Sequence, residues 1–170
     1  MTPGAASGLP AVLAEVVIAF VMLVSPAQCE TTQVPAAQQI YERTTRKTVT
    51  EVLEDVEFAI SERNFRLTSQ LHVGRGIRER DNIDFPDYEV ILFCNLELAR
   101  QMLELDPGYI NYCPGRITVR RGGDTTHIAA PLLPELADQN EALALLVRGI
   151  NAQMRAIVDF GTEYWARRNP

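Results

Sequence analysis

Toward the end of the chain, apolar side chains recur at spacings of three and four residues: Leu143, Leu146, Val147, Ile150, Met154, Ile157 and Val158. On a helix these positions form a single stripe over about five turns, with Gln139, Arg148, Asn151 and Arg155 expected mostly off it. A stripe of that length is stable only against a second layer of structure, so the rest of the chain must supply one. Pro131 and Pro134 end whatever precedes the helix, and Asp138 with Glu141 is expected to box its amino terminus.

The second layer reads as β-structure. Thr48 and Glu51 have capping-box spacing before a helix with Val49, Val52, Leu53, Val56, Ala59 and Ile60 on one side, and Asn64 ends it. The period then falls to two. From Arg66 to Val73 the residues Leu67, Leu71 and Val73 alternate with Thr68, Gln70 and His72, the pattern of a half-buried strand with its leucines inward. Tyr88 to Cys94 is apolar on both faces, which requires either a central position in a sheet or a partner over it. Asn95 caps a short helix through Leu98, Ala99, Met102 and Leu103, ended by the Asp106-Pro107-Gly108 turn. Strands around Ile117–Val119 and Thr125–Ala130 flank Gly122-Gly123 as a hairpin, and Ile40–Thr45 is a weak first strand. The expected order is β-α-β-β-α-β-β-α, an α+β fold in two layers.

At 170 residues, with 46% hydrophobic and 22% charged, the chain has the makeup of one globular domain and not of a disordered tail. Its net charge of −6 leaves no basic stripe for a phosphate backbone, so nucleic acid is not expected as a partner. Three cysteines do not make a disulfide scaffold.

Val16–Val24 followed by Ser25-Pro26-Ala27 has the form of a signal-peptide core and cleavage site, and the run falls short of the roughly 20 residues that span a bilayer. Against this stand Glu15 at its edge and the lack of Lys or Arg before it. The expected organisation is a signal peptide over 1–27, a linker over 28–39, a domain over 40–161 and a tail over 162–170, giving a periplasmic or secreted protein. An uncleaved amino-terminal anchor, the one route to the membrane, and a start codon placed too early are the alternatives. A lipid anchor on Cys29 requires a small residue before it, where Gln28 stands.

Three segments, taken with the element order, resemble the domain of unknown function 302 family over roughly 40–161. They are VILFCNLELARQMLELDPGY from Val90 to Tyr109, the Pro-led strand in Tyr112-Cys113-Pro114-Gly115-Arg116-Ile117-Thr118-Val119, and the Gly-Gly hairpin running to Pro131. The resemblance implies a TATA-binding-protein-like curved antiparallel sheet against helices and a tendency to form a homodimer. It implies no activity. Some members carry one Cys in the Cys-Asn pair and another directly after the strand-leading Pro; here Cys94 fills the first place, Gly115 the second, and Cys113 precedes Pro114.

Cys94 and Cys113 stand at the end of one expected strand and the start of another. Independent buried thiols, a disulfide, and a metal or redox pair are all compatible with that placement, and there is no C-x-x-C. His72 and His127 are the only histidines, 55 positions apart, a spacing that is no metal-ligand motif; no metal or cofactor is expected. Gly74-Arg75-Gly76-Ile77-Arg78-Glu79 opens like a dinucleotide fingerprint but has Glu79 in place of the third glycine. It reads as a solvated loop of mixed charge. The chain has no G-x-S-x-G, H-E-x-x-H or G-x-x-x-x-G-K motif, and Glu51, Glu54 and Asp55 lie on the polar side of a helix. The leading expectation is a non-enzymatic domain that binds a small molecule or a second copy of itself. Tyr109, Tyr112, Arg116, His72 and His127 are the candidate lining of a cleft. The competing expectation is a thiol or metal accessory protein using Cys94 and Cys113.

Overall fold

The computed structural model describes residues 38–135 and 140–163. The amino-terminal signal, anchor and linker readings, Cys29, Asp138 and most of the tail lie outside these residues. Strands β1 (Ile40–Thr45), β2 (Arg66–His72), β3 (Tyr88–Cys94), β4 (Gly115–Gly122) and β5 (Thr125–Pro131) form one sheet in the order β1-β5-β4-β3-β2, every neighbouring pair antiparallel. Helices α1 (Val49–Glu62), α2 (Val73–Asp81), α3 (Leu96–Leu105) and α4 (Glu141–Thr162) and a 3-10 turn, η1 (Pro107–Tyr112), connect or cover it. The α+β, two-layer expectation holds, with α2 added to the order.

Since β1 and β2 are the two edges, α1 crosses the whole sheet between them. Its start is set by the expected box: the Thr48 hydroxyl accepts from the Glu51 amide at 3.2 Å, and the Glu51 carboxylate accepts from the Thr48 amide at 2.9 Å. Its buried stripe, Val52, Val56, Ala59 and Ile60, meets Ile157 and Val158 of α4 over Ile91, Ile117 and Ile128 of the sheet. Asn64 takes φ 59°, the left-handed turn that ends α1 and sends Phe65 into the core against Phe93. At the other end of the layer, the buried Lys47 ammonium donates to Asp55 at 2.7 Å, to the Gly161 carbonyl at 3.3 Å and to the Glu163 carbonyl. These bonds tie the end of α4 to the β1–α1 turn and give Asp55 a structural partner.

Five expectations are corrected. The β2 leucines are not inward: Leu67 and Leu71 are 47% and 49% exposed. A bulge between Leu67 and Ser69 breaks the alternation, and beyond it Gln70 and His72 pair with Ile91 and Glu89 on the helix-covered face. The mixed-charge loop is helix α2, ended by Asn82 at φ 53°. Helix α4 is capped by Asn140, whose side chain accepts from the Leu143 amide at 2.8 Å, so Glu141 is its first residue and no box partner. Asn151, expected off the apolar stripe, is 1% exposed. The β4–β5 hairpin closes on Gly123-Asp124, one residue later than expected, with Gly123 at φ 59°.

The doubly apolar strand β3 lies second from the edge. Ile91 and Phe93 face the core, and Val90 and Leu92 look out on the opposite face beside Leu71, Thr118 and Ala129, where side chains are half-buried to exposed.

Candidate functional site

At one end of the sheet, β3 and β4 part and the chain between them makes an excursion through α3 and η1. The excursion is held at its base by Asn95, whose side chain accepts from the Glu97 and Leu98 amides at 3.0 and 3.1 Å and donates to the Asn64 carbonyl at 3.0 Å. Asp106 accepts from the Gly108 amide at 2.8 Å and turns α3 into η1. Only Met102 of α3 and only Tyr109 of η1 are buried. Between this wall, α4 and the ends of the strands lies a partly open cavity of about 160 Å³. Its interior is apolar, from Phe65, Phe93, Leu98, Met102, Tyr109 and Ile150, and its polar side chains include Gln38, Asn95, Asn111 and Arg116.

Three of the five expected lining residues gather here. Tyr109 and Tyr112 pack with ring centroids 5.4 Å apart and planes tilted by 51°, and the Tyr109 hydroxyl donates to the Pro134 carbonyl at 2.9 Å, which hangs η1 on the chain leading to α4. Arg116 is exposed beside them and, among the described residues, has no carboxylate partner. The two histidines are elsewhere and correct the expectation of one cluster. His72 Nδ1 lies 2.6 Å from the buried Glu89 on the covered face. His127 Nδ1 lies 2.6 Å from Glu42, which also accepts from Arg120 at 3.0 Å, on the opposite face. Strand alternation alone could not say which face of the sheet either residue would share with the tyrosines.

Cys94 and Cys113 both line the cavity as free thiols, their sulfurs 3.6 Å apart in a hydrogen bond and not a disulfide. Among the described residues no group of three or more His, Cys, Asp or Glu side chains is arranged to hold a metal ion. Partial burial, and then the hydrogen bond to Cys113, push the Cys94 thiol up from an ordinary 9.0 to about 11. The folded state therefore holds this proton more tightly than the unfolded chain does. Its contribution to the stability of the reduced protein is full below about pH 9 and is lost as the pH climbs through 11. Compared with Cys94→Ala, the reduced wild type is expected to lose more of its denaturation midpoint over that window. Parallel pH profiles for the two proteins would contradict the assignment.

The residues missed from sequence are Phe65, which had no reading, and Phe93, Leu98, Met102 and Ile150, read as parts of an apolar strand or helix stripe; all are here shared between core and cavity. The polar Gln38 and Asn111 carried no sequence signal.

The comparisons with known proteins fit this architecture. Residues 41–160 match the family described as Domain of unknown function DUF302. The chain belongs to this family. A solved relative, described as the crystal structure of an uncharacterized conserved protein DUF302 from Bacillus stearothermophilus, superposes with a TM-score of 0.62 at 21% identity, covering 71% of this chain and 96% of that one. This likeness establishes the shared DUF302 fold. No curated protein matches the chain.

Proposed function

We propose that this DUF302 protein is an exported, non-enzymatic binding protein that takes a small amphipathic molecule, with an apolar body and an anionic head, in the cavity between α3–η1 and α4. One observation carries the reading: an apolar hollow has at its edge an arginine, Arg116, with no carboxylate partner among the described residues. Apolar walls with a few convergent polar groups are the usual makeup of a small-molecule site. Burial of the ligand body would supply affinity, and the guanidinium would orient its head.

An anionic apolar dye, anilinonaphthalene sulfonate, serves as the probe. The native protein is expected to bind it saturably, and Ala99→Trp, which places an indole in the cavity from α3, to weaken it about tenfold or more while leaving the fold intact. Equal dye binding by both proteins would sink the reading.

A second reading rests on the outer face of the sheet, where Val90, Leu92 and the half-exposed Leu71 form an apolar strip. We infer self-association of two copies through it. Sedimentation is expected to show a dimer that Leu92→Glu converts to monomer. A monomeric wild type would dispose of this second reading without touching the first.

A further inference from the structure

We propose that Cys94 and Cys113 form a reversible dithiol/disulfide pair that gates the cavity by fixing the α3–η1 wall. The inference rests on the binding role proposed above and adds a control to it. Two observations carry it. The first is position: the cysteines are 19 apart in sequence and bracket the wall, Cys94 as the last residue of β3 and Cys113 as the residue closing η1. The ladder pair Phe93–Gly115 lies immediately behind them and holds both legs of the excursion on the sheet. The second is looseness. The wall buries one side chain from α3 and one from η1, with Leu98, Leu103 and Tyr112 only partly buried, so little apolar burial holds it down.

A hollow of about 160 Å³ is about the size that admits a single benzene ring, so a larger ligand needs it to widen, and the wall, with one buried side chain in each of its two segments, is the part placed to move. With free thiols its two legs are tied only through the Phe93–Gly115 ladder pair behind them, and beyond that pair each can shift. A bond between the sulfurs joins them at the base and stiffens the wall in its closed position. The sulfurs stand 3.6 Å apart and a disulfide requires about 2.05 Å, a difference within reach of side-chain rotation and a small shift of the legs.

The oxidant is a low-molecular-weight disulfide. Cys113, as thiolate, attacks one of its sulfurs, forming a mixed disulfide and releasing the first small thiolate. Cys94 then gives up its proton and attacks the Cys113 sulfur, closing the protein disulfide and releasing the second. Two protein thiols are oxidised by two electrons, one small disulfide is reduced to two small thiols, and the two protons pass to those products. The order follows from Cys94, whose burial and bond to Cys113 keep its proton on.

The test uses the full chain carrying Cys29→Ser, equilibrated with oxidised and reduced glutathione in varied ratio, then analysed by intact mass, peptide mapping and dye binding. The expected result is a mass loss of about 2 Da with a Cys94–Cys113 cross-linked peptide. Dye affinity is expected to fall about fivefold or more on oxidation, to recover on reduction, and to be redox-independent in Cys113→Ala. No cross-link under the most oxidising ratio would overturn the pair. A cross-link that leaves dye affinity unchanged would overturn the gate while the binding reading stands. Absence of dye binding in both redox states would overturn the binding reading and the gate with it.

Discussion

Gly74→Ala is expected to destabilise the protein by about 3 kcal/mol, at the upper end of what overpacking costs. A methyl built on Gly74 would stand 2.3 Å from the Pro86 carbonyl oxygen, 2.8 Å from the Tyr88 amide nitrogen and 3.0 Å from the Asp87 α-carbon. All three are backbone atoms at the head of β3, and none can rotate away. Either α2 lifts from the sheet or β3 shifts and disturbs its ladders with β2 and β4. Gly76, two residues on in the same helix, meets nothing within 4 Å, and there alanine is expected to stabilise by about 0.8 kcal/mol through helix propensity alone. Denaturant melts of the two variants should move in opposite directions. If both moved the same way, the close approach of α2 to β3 would be refuted.

The second large effect is at Asn151. This buried side chain accepts from the Leu133 amide at 2.8 Å and donates to the Leu133 carbonyl at 3.0 Å and to Glu135 at 3.1 Å. It thereby takes the place of a strand neighbour for the segment after β5. Asn151→Leu fills similar space yet leaves both backbone groups of Leu133 without partners, at a cost of about 2–4 kcal/mol. The segment also carries Pro134, whose carbonyl accepts from Tyr109, so the loss should loosen the cavity wall and weaken dye binding as well. A melt of Asn151→Leu within 1 kcal/mol of wild type, where about 1 kcal/mol is the net worth of an ordinary hydrogen bond, would show that the segment is held by packing.

These two residues mark the boundary of what could be read in advance. Asn151 looks like a polar interruption of a helical stripe, because periodicity ranks side chains by hydropathy and has no term for a backbone segment that needs hydrogen bonds. Gly74 and Gly76 suggested a phosphate loop and then a solvated one, because two glycines in nine residues lower helix propensity and no apolar stripe compensates. What stabilises α2 is the absence of a side chain at Gly74, which brings its backbone onto β3. Likewise Tyr109, Tyr112 and Arg116 are close in sequence, and the fold keeps them beside one cavity. His72 and His127 could be assigned to that group or excluded from it only once the strand order and the β2 bulge were known.

The sequence by itself determined the local elements and their kind: the Thr48–Glu51 cap, the stripes of α1 and α4, the two-sided β3, the turn at Asp106 and the hairpin near Gly123. Each depends on interactions within a few residues or on a period of 2 or 3.6, and such signals are written in consecutive positions. Tertiary structure alone decided that β1 and β2 are the sheet's opposite edges, that the leucines of β2 stay half exposed, and that α2 exists. It alone decided, too, that two cysteines 19 positions apart meet across the base of a cavity wall. These outcomes depend on which surfaces meet, and the free energy of such meetings belongs to pairs of segments far apart in the chain.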